Sequence, residues 1–346
     1  MNTPTNHGRS LSRRGLLSLG AVLGSSALLA ACGKDDSKDT GSTGDSGKDT
    51  GGSGAFPVTV EDKFGTVKID KKPERVLSLG RTDHDVLLAL GIVPVGVWQF
   101  IPTMKRGVGA WAEKPLDGKT PAFLKPPFDF EQVASLNPDL IVNVQSGGDQ
   151  TEYTTLTGIT TTVGLPKGAT PNAVPWRDST KLIATAVGRA EQGEKLVKDT
   201  EALLESTARS HPEFAGKTVS ILLAFGGKIG VYTAGDTRMQ LATALGLKPS
   251  AYVESLGRET YFAELSAEKT GDAEADVVIL LSQQQLPLKQ TLKQYPQVAA
   301  MKAARENRLV FPDDPSVGLA LSSASVLSIP YAVEGLVPLL AKVLKK

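Results

Sequence analysis

The sequence predicts an α/β protein built as two lobes joined by one long helix, and three observations carry that prediction. Short apolar strands alternate with helical stretches between residues 75 and 144, the pattern of mostly parallel pairing. The alternation resumes after Lys217. Between the two, Ile183, Val187, Ala190, Val197, Thr200 and Leu204 recur at three- and four-residue steps with charges between them. A chain of 346 residues, 40% hydrophobic, can fill two cores.

Residues 1–31 read as an export signal. They hold Arg9, Arg13 and Arg14, no acidic residue, and a weakly apolar run from Leu16 to Ala31 that is too broken by Gly and Ser to span a bilayer. Ser12-Arg13-Arg14-Gly15-Leu16-Leu17 resembles the twin-arginine motif with Leu in place of its usual Phe; a Sec signal carrying two arginines is the alternative. Leu29-Ala30-Ala31-Cys32-Gly33 then resembles a bacterial lipobox. Its Cys32 thiol would take diacylglycerol, anchoring the chain to a membrane at about 0.8 kcal/mol per buried CH₂. Residues 32–55 form a lipidated tether whose polar stretch lacks large apolar side chains and reaches on the order of 25 Å as a coil.

The ordered part begins at Phe56. Val58 to Ile69 alternates apolar and polar residues about a Gly-containing turn, a hairpin pattern. Arg75–Gly80 and Val93–Val97 read as strands around a helix from Thr82 to Leu90; Phe130–Leu136 reads as a helix and Leu140–Val144 as a strand. The first lobe therefore covers 56–175. The bracing segment covers 176–212; helical from about 179 to about 209, it would be roughly 45 Å long, and a break near Gly193 is the alternative. The second lobe, 213–346, carries strands at Thr218–Phe225, Asp276–Leu281 and Arg308–Phe311, a helix at Asp236–Leu245, and a closing helical pattern from Ser322 to Leu344 interrupted by Pro330 and Pro338.

Composition excludes much chemistry. Lys and Arg (38) balance Asp and Glu (37), which argues against nucleic acid, and losing the signal arginines leaves the mature chain slightly acidic. One cysteine and three histidines exclude a disulfide framework and a Cys- or His-rich metal centre. Of the histidines beyond the signal, His84 beside Asp83 and Asp85 reads as a solvated helix position, and His211 before Pro212 as a helix terminus. No serine-hydrolase elbow, zincin motif, P-loop or dinucleotide fingerprint occurs, and Gly226 to Gly230 lacks phosphate-loop spacing.

An echo links the lobes. Asp129-Phe130-Glu131 opens a helix with Asp139 eight residues beyond Glu131, and Ser266-Ala267-Glu268 opens another with Asp276 eight beyond Glu268. A first-turn glutamate suits the helix dipole by itself; two at equivalent places would also present a pair of acidic knobs.

Val58–Ile69, Lys72-Pro73-Glu74-Arg75-Val76-Leu77-Ser78-Leu79, Leu87–Val97, Phe130–Val142 and Leu265–Val278 together resemble the iron-siderophore and cobalamin substrate-binding proteins of ABC importers over roughly residues 57–344. The resemblance implies two Rossmann-like lobes with a ligand cleft between them and little hinge motion. It implies a non-enzymatic, monomeric lipoprotein that delivers a ferric siderophore to a dimeric ABC permease and its ATPase. No cofactor is expected, because the iron arrives as a chelate. Glu131 and Glu268 match the family's permease-docking glutamates. For the ligand, loop arginines and aromatics are the candidates: Arg81, Arg238 and Arg258 as donors to chelate oxygens, and Trp98, Trp111, Trp176, Tyr232 and Tyr261 as packing faces. Arg81, Trp98 and Arg238 are the strongest. Haem or cobalamin is the alternative cargo, and an extracytoplasmic hydrolase the alternative class. The Asp- and Gly-rich tether favours a Gram-positive surface over a Gram-negative periplasm.

Overall fold

A computed structural model describes residues 54–100, 104 and 106–345; the export signal with Arg13 and Arg14, the lipobox Cys32 and the tether up to residue 53 lie outside the described residues. β1 (Val58–Asp62) and β2 (Gly65–Ile69) form the expected hairpin. Buried Asp62 closes its turn, accepting from the Phe64 and Gly65 N–H groups at 2.8 and 3.0 Å. Its other oxygen accepts from Gly164 N–H at 2.8 Å, which ties the hairpin to the first lobe.

In that lobe β3 (Val76–Ser78), β4 (Gly96–Trp98), β5 (Ala122–Leu124), β6 (Leu140–Val142) and β7 (Thr162–Val163) pair all-parallel in the order β5-β4-β3-β6-β7. Helices α1 (Asp83–Ala89), α2 (Phe130–Ser135) and α3 (Gln150–Thr157) lie in the crossovers. The strand order turns back between β3 and β6, so a crevice opens beyond their carboxyl ends, where open α/β sheets bind ligands.

The bracing segment corrects the sequence reading. It is two helices, α4 (Trp176–Ala186) and α5 (Ala190–Ser210), and the break falls at Gly188 rather than near Gly193. Gly188 sits at φ +69°, its N–H bonds Thr185 O at 3.0 Å, and Arg189 N–H bonds Ala184 O at 2.8 Å. That is a Schellman stop, and the left-handed residue it needs is the glycine. Gly193 instead lets two helices touch, since a Cβ there would lie 2.3 Å from the Ala184 Cβ. The Arg177–Glu201 pair and the 2.9 Å Lys181–Glu194 pair fasten the same seam. Only α5, about 31 Å long, runs onward from α4 to α6 and α12 of the second lobe.

The second lobe contains β8 (Thr218–Phe225), β9 (Lys228–Tyr232), β10 (Lys248–Pro249), β11 (Phe262–Leu265), β12 (Val277–Ser282) and β13 (Leu309–Val310). The path runs β11-β9-β8-β12-β13, with β10 beside the start of β8. Pairing with β12, β13 and β10 is parallel, whereas β8-β9 and β9-β11 are antiparallel. The β8-β9 turn is Gly226-Gly227 at φ +51° and +80°, a two-residue hairpin loop that needs both residues left-handed. The helices are α6 (Thr237–Ala244), α7 (Ala251–Ser255), α8 (Leu288–Gln294), α9 (Pro296–Ala299), α10 (Lys302–Arg305), α11 (Pro315–Ser323) and α12 (Ser328–Leu344). Pro330 falls in the first turn of α12, where its missing N–H is harmless, and Pro338 lies inside the helix. Ser322 belongs to α11.

The echo between the lobes is structural at its aspartates. Asp139 accepts from the Glu74 and Arg75 N–H groups at 2.8 and 2.9 Å, clamping the chain as it enters β3. Asp276 accepts from the Thr218 N–H and hydroxyl at 2.8 and 2.9 Å, clamping the start of β8. The Thr218 N–H, foremost, holds the Asp276 carboxyl below the usual carboxylate range. The glutamates differ in setting. Exposed Glu131 lies in the first turn of α2, capped by Asp129, whereas exposed Glu268 lies in a turn before a 3₁₀ segment at Thr270–Ala273, not on the expected α-helix. Among the described residues, no helix is long and apolar enough to cross a membrane.

Candidate functional site

A cavity of ≈ 730 Å³ opens where the strand ends of the second lobe face the first. Phe100, just beyond β4, lines it from the first lobe, and the turns after β12 and β13, the end of β9 and the helices α6 and α11 line it from the second. Its surface is largely leucine, proline and aromatic, with Arg238, Asp313 and three successive glutamines (Gln283–Gln285) as the polar groups that could orient a ligand.

Arg238 is held rigidly. Asp236 caps α6 through the Arg238 N–H at 2.8 Å and takes Nη1 on both oxygens at 3.0 and 2.9 Å, while Nε donates to Ser322 Oγ at 3.2 Å. The guanidinium carbon lies 3.9 Å from the centroid of the Tyr232 ring. Burial pulls this guanidinium down, but Asp236 and Tyr232 more than offset it, and its pKa is raised. Burial also raises the Tyr232 phenol.

Arg81 follows β3 at the turning point of the first sheet. Its Nη2 donates to Asn172 O at 2.9 Å and its guanidinium carbon lies 5.1 Å from the Phe100 ring centroid, but its buried Nε has no partner. Burial first, and then the like charge of Arg238, pull its pKa down to about 10. Two guanidiniums from opposite lobes thus act on each other across the cleft, one satisfied by a carboxylate and one not.

The other sequence candidates separate. Trp98 ends β4 rather than lying in a loop; it is half-buried and meets Phe100 and Phe128 edge-on at 5.3 and 6.0 Å, so it backs the cavity wall. Tyr261 is 40% exposed and near enough for its phenol to act on Arg81 and Tyr232. Three candidates do not join the set. Trp176 is the first residue of α4 and 3% exposed, part of the hydrophobic core, so its ring is not free for a ligand. Arg258 points to Glu254 at 3.4 Å on the exposed end of α7 and does not line the cavity. Trp111 spends its indole N–H on Asp85 Oδ2 at 2.8 Å.

That Asp85 contact belongs to an interlobe junction the sequence reading missed. The same oxygen accepts from Ser325 Oγ of the second lobe at 2.5 Å, and Leu327 packs beside Leu88, Val108 and Leu116 of the first. Asp83, His84 and Asp85 are all buried, so the expected solvated position of His84 is wrong: burial lowers its pKa, and its Nε2 lies 3.4 Å from Asp85 Oδ1. Among the described residues, no three His, Cys, Asp or Glu side chains converge as a metal site. Phe100 and the Gln283–Gln285 turn are also unanticipated. An aromatic directly after the β4 pattern and three polar residues directly after the β12 run were the signals that could have found them.

Two α/β lobes on a bracing helix, closing an amphipathic cavity between strand ends, define a binding protein for a sizeable small molecule. Residues 76–315, more than half the sequence, match the Periplasmic binding protein family, and the chain belongs to it. It is 28% identical over 228 residues to the probable siderophore-binding lipoprotein YfiY of Bacillus subtilis (strain 168), a match covering 64% of this chain and 67% of that protein. It superposes on a periplasmic solute binding protein from Mycobacterium smegmatis str. MC2 155 with TM-score 0.74 and 30% identity, covering 83% of this chain and 99% of that one. Streptococcus pneumoniae TIGR4 PiaA in complex with ferrichrome gives TM-score 0.70 and 29% identity, with 83% and 99% covered. These are substrate-binding transport proteins and not enzymes, which removes the hydrolase alternative.

Proposed function

We propose that this protein is an extracytoplasmic lipoprotein that captures a ferric siderophore in the interlobe cleft and delivers it to an ABC permease and its ATPase for iron uptake. The observation that carries the reading is the cavity itself: aromatic walls for a chelate's carbon framework and the Arg238 guanidinium on its lining as a donor to the oxygens around iron, with Arg81 of the opposite lobe close enough to act on Arg238 though it does not line the cavity. Phe100, Tyr232 and Arg238, which line the cavity, are the ligand contacts in this reading, with Arg81, Trp98 and Tyr261 set beside or behind that lining. Haem and cobalamin are less well suited, since His84 is buried beside Asp85 and His211 pairs with Glu213 at the end of α5, both away from the cavity wall. Cys32 carries the lipid, Arg13 and Arg14 direct export, and the monomer sits on the outer face of a Gram-positive membrane. The relatives named lipoproteins support that placement.

Tryptophan fluorescence tests the cargo. Trp98 touches the wall residue Phe100, so ferric chelates should quench the purified protein saturably, and haem and cobalamin should not. Quenching by haem or cobalamin alone would sink the reading.

Glu131 and Glu268 are proposed to dock on the two halves of a dimeric permease. Both are exposed, so Ala at each should leave chelate affinity within about twofold and cut cellular iron uptake by about tenfold or more. Uptake that persists in the double variant rules the docking role out.

A further inference from the structure

The interlobe junction at Asp85 does not line the cavity, yet it is tied to both ends of a helix that does. We infer, resting on the reading of this cleft as the chelate site, that Asp85 and Ser325 form an interlobe latch, buttressed by Trp111. The latch holds α11, and with it the second-lobe wall of the cleft, in a fixed position against the first lobe.

The Asp85 carboxylate is fully buried, and one oxygen takes both of its donors: the Trp111 indole N–H of its own lobe at 2.8 Å and the Ser325 hydroxyl of the other at 2.5 Å. Its second oxygen has no hydrogen-bond partner, and neither has the buried Nδ1 of neighbouring His84. A carboxylate kept out of water with so few donors leans heavily on each of them. The Ser325 hydroxyl is also fixed in direction. Ser325 and Ser328 cap α12 reciprocally, Ser325 N–H donating to Ser328 Oγ at 2.8 Å and Ser328 N–H to Ser325 Oγ at 3.0 Å. With its oxygen accepting at the cap, Ser325 gives its proton to the carboxylate across the lobes.

Ser325 follows α11 directly, where Ala324 at φ +44° ends that helix. α11 lines the cavity with Pro315, Gly318, Leu319 and Ser322, and Ser322 Oγ is the hydroxyl that receives Arg238 Nε at 3.2 Å. At its other end Asp314 caps α11 and accepts from the Tyr331 hydroxyl at 3.1 Å, and the Tyr331 ring lies 6.0 Å from the Trp111 ring. Both ends of this cavity helix are therefore referred to the same first-lobe pair. On the first-lobe side Asp85 stands on α1, four residues beyond Arg81. The latch thus joins the two segments that place the cleft arginines. A single bracing helix leaves the lobes free to rock about it; a second, buried attachment removes that freedom, and a preorganised site keeps its affinity only while its walls stay in register.

The test measures interlobe distance in the full chain without ligand. Spin labels at Lys125→Cys and Lys289→Cys, both exposed and on opposite lobes, are read in a Cys32→Ser background. Ser325→Ala, which deletes the crossing bond, should broaden and lengthen the distance distribution, and Ser325→Thr should restore it. Asp85→Asn keeps the shape but removes the charge, and should shift the distribution the same way to a smaller degree. Ser328→Ala breaks the helix cap and leaves the crossing bond, so it should melt lower with the distance unchanged. A ferric trihydroxamate and a ferric tricatecholate are then titrated; affinity for whichever binds the native protein should fall about tenfold or more in Ser325→Ala and recover in Ser325→Thr. A distribution unmoved in both Ser325→Ala and Asp85→Asn overturns the latch, as does a Ser328→Ala variant that moves distance and affinity as far as Ser325→Ala. If neither chelate binds the native protein, the cargo reading fails and the distance measurement alone decides the latch.

Discussion

Arg81→Met should lower the affinity of the cleft for its chelate by about 100-fold, equivalent to about 2.8 kcal/mol, while the free protein melts at an unchanged or higher temperature. The two halves of this expectation have one cause. In the free protein the Arg81 side chain is part-buried with its Nε buried and unpartnered, and it holds a single hydrogen bond to Asn172 O; burial first, and then the like charge of Arg238, bring its pKa down to about 10. A buried charge in that condition costs the fold free energy. Methionine keeps much of the apolar stem and removes the cost. What it cannot replace is a set of charge-assisted donors facing ligand oxygens, each worth about 1.5–3 kcal/mol. Arg238→Met should behave oppositely in the free state, because it strands the buried Asp236 carboxylate and should destabilise by about 3–5 kcal/mol. Thermal melts and chelate titrations of both variants separate the cases. If Arg81→Met melts several degrees lower and binds normally, Arg81 is a structural residue and the cleft assignment fails.

The contrast between the two arginines shows where sequence reading stops. Each stands just after a strand or at a helix start, which is how both are recognised as candidates, and local pattern also found the β1-β2 hairpin and the strand-helix alternation. What separates Arg81 from Arg238 is a carboxylate two residues away that wraps back on one of them, and the sequence does not say which way Asp236 faces. Trp176 and Trp111 fail as ligand residues for a related reason. A Trp outside an obvious periodic run looks free, yet one is buried in the core at the start of α4 and the other is spoken for by Asp85, distant in sequence. The misplaced helix break has a local explanation that was legible: Gly188 had the glycine of a Schellman stop, whereas Gly193 is a contact glycine whose partner, Ala184, can be known only once the helices pack. The Asp139 and Asp276 spacing, prominent as an echo, belongs to strand clamping; its glutamates are free for another use because the aspartates carry the structural work.

Asp83→Ala should cost the first lobe about 2–5 kcal/mol, and its loss should be felt in the cleft. Asp83 is 1% exposed and accepts from the Val144 and Gln145 N–H groups at 2.7 and 3.0 Å, joining the start of α1 to the turn after β6. Removing it leaves two buried donors without partners. Gln145, fixed by that contact, bonds Val174 through its amide at 2.8 and 3.1 Å and gives its carbonyl to Arg81 N–H at 3.0 Å; Arg81 in turn reaches Asn172. Asp83 therefore positions Arg81 without touching the cavity, and Gly80 must lack a side chain because a Cβ would sit 2.0 Å from the carboxylate. Burial raises the Asp83 pKa from 3.8 to about 6, despite the N–H groups of Val144 and Gln145 and the charge of Arg81. A folded pKa above the unfolded one contributes stability that is complete below the unfolded value and lost as pH rises through the folded one. Between pH ~4 and pH ~6 the native protein should therefore surrender about 3 kcal/mol of this contribution. Asp83→Asn removes the titration. The difference in urea-unfolding free energy, native minus Asp83→Asn, should fall across that window and flatten above it, and curves that run parallel from pH 4 to pH 7 would falsify the assignment.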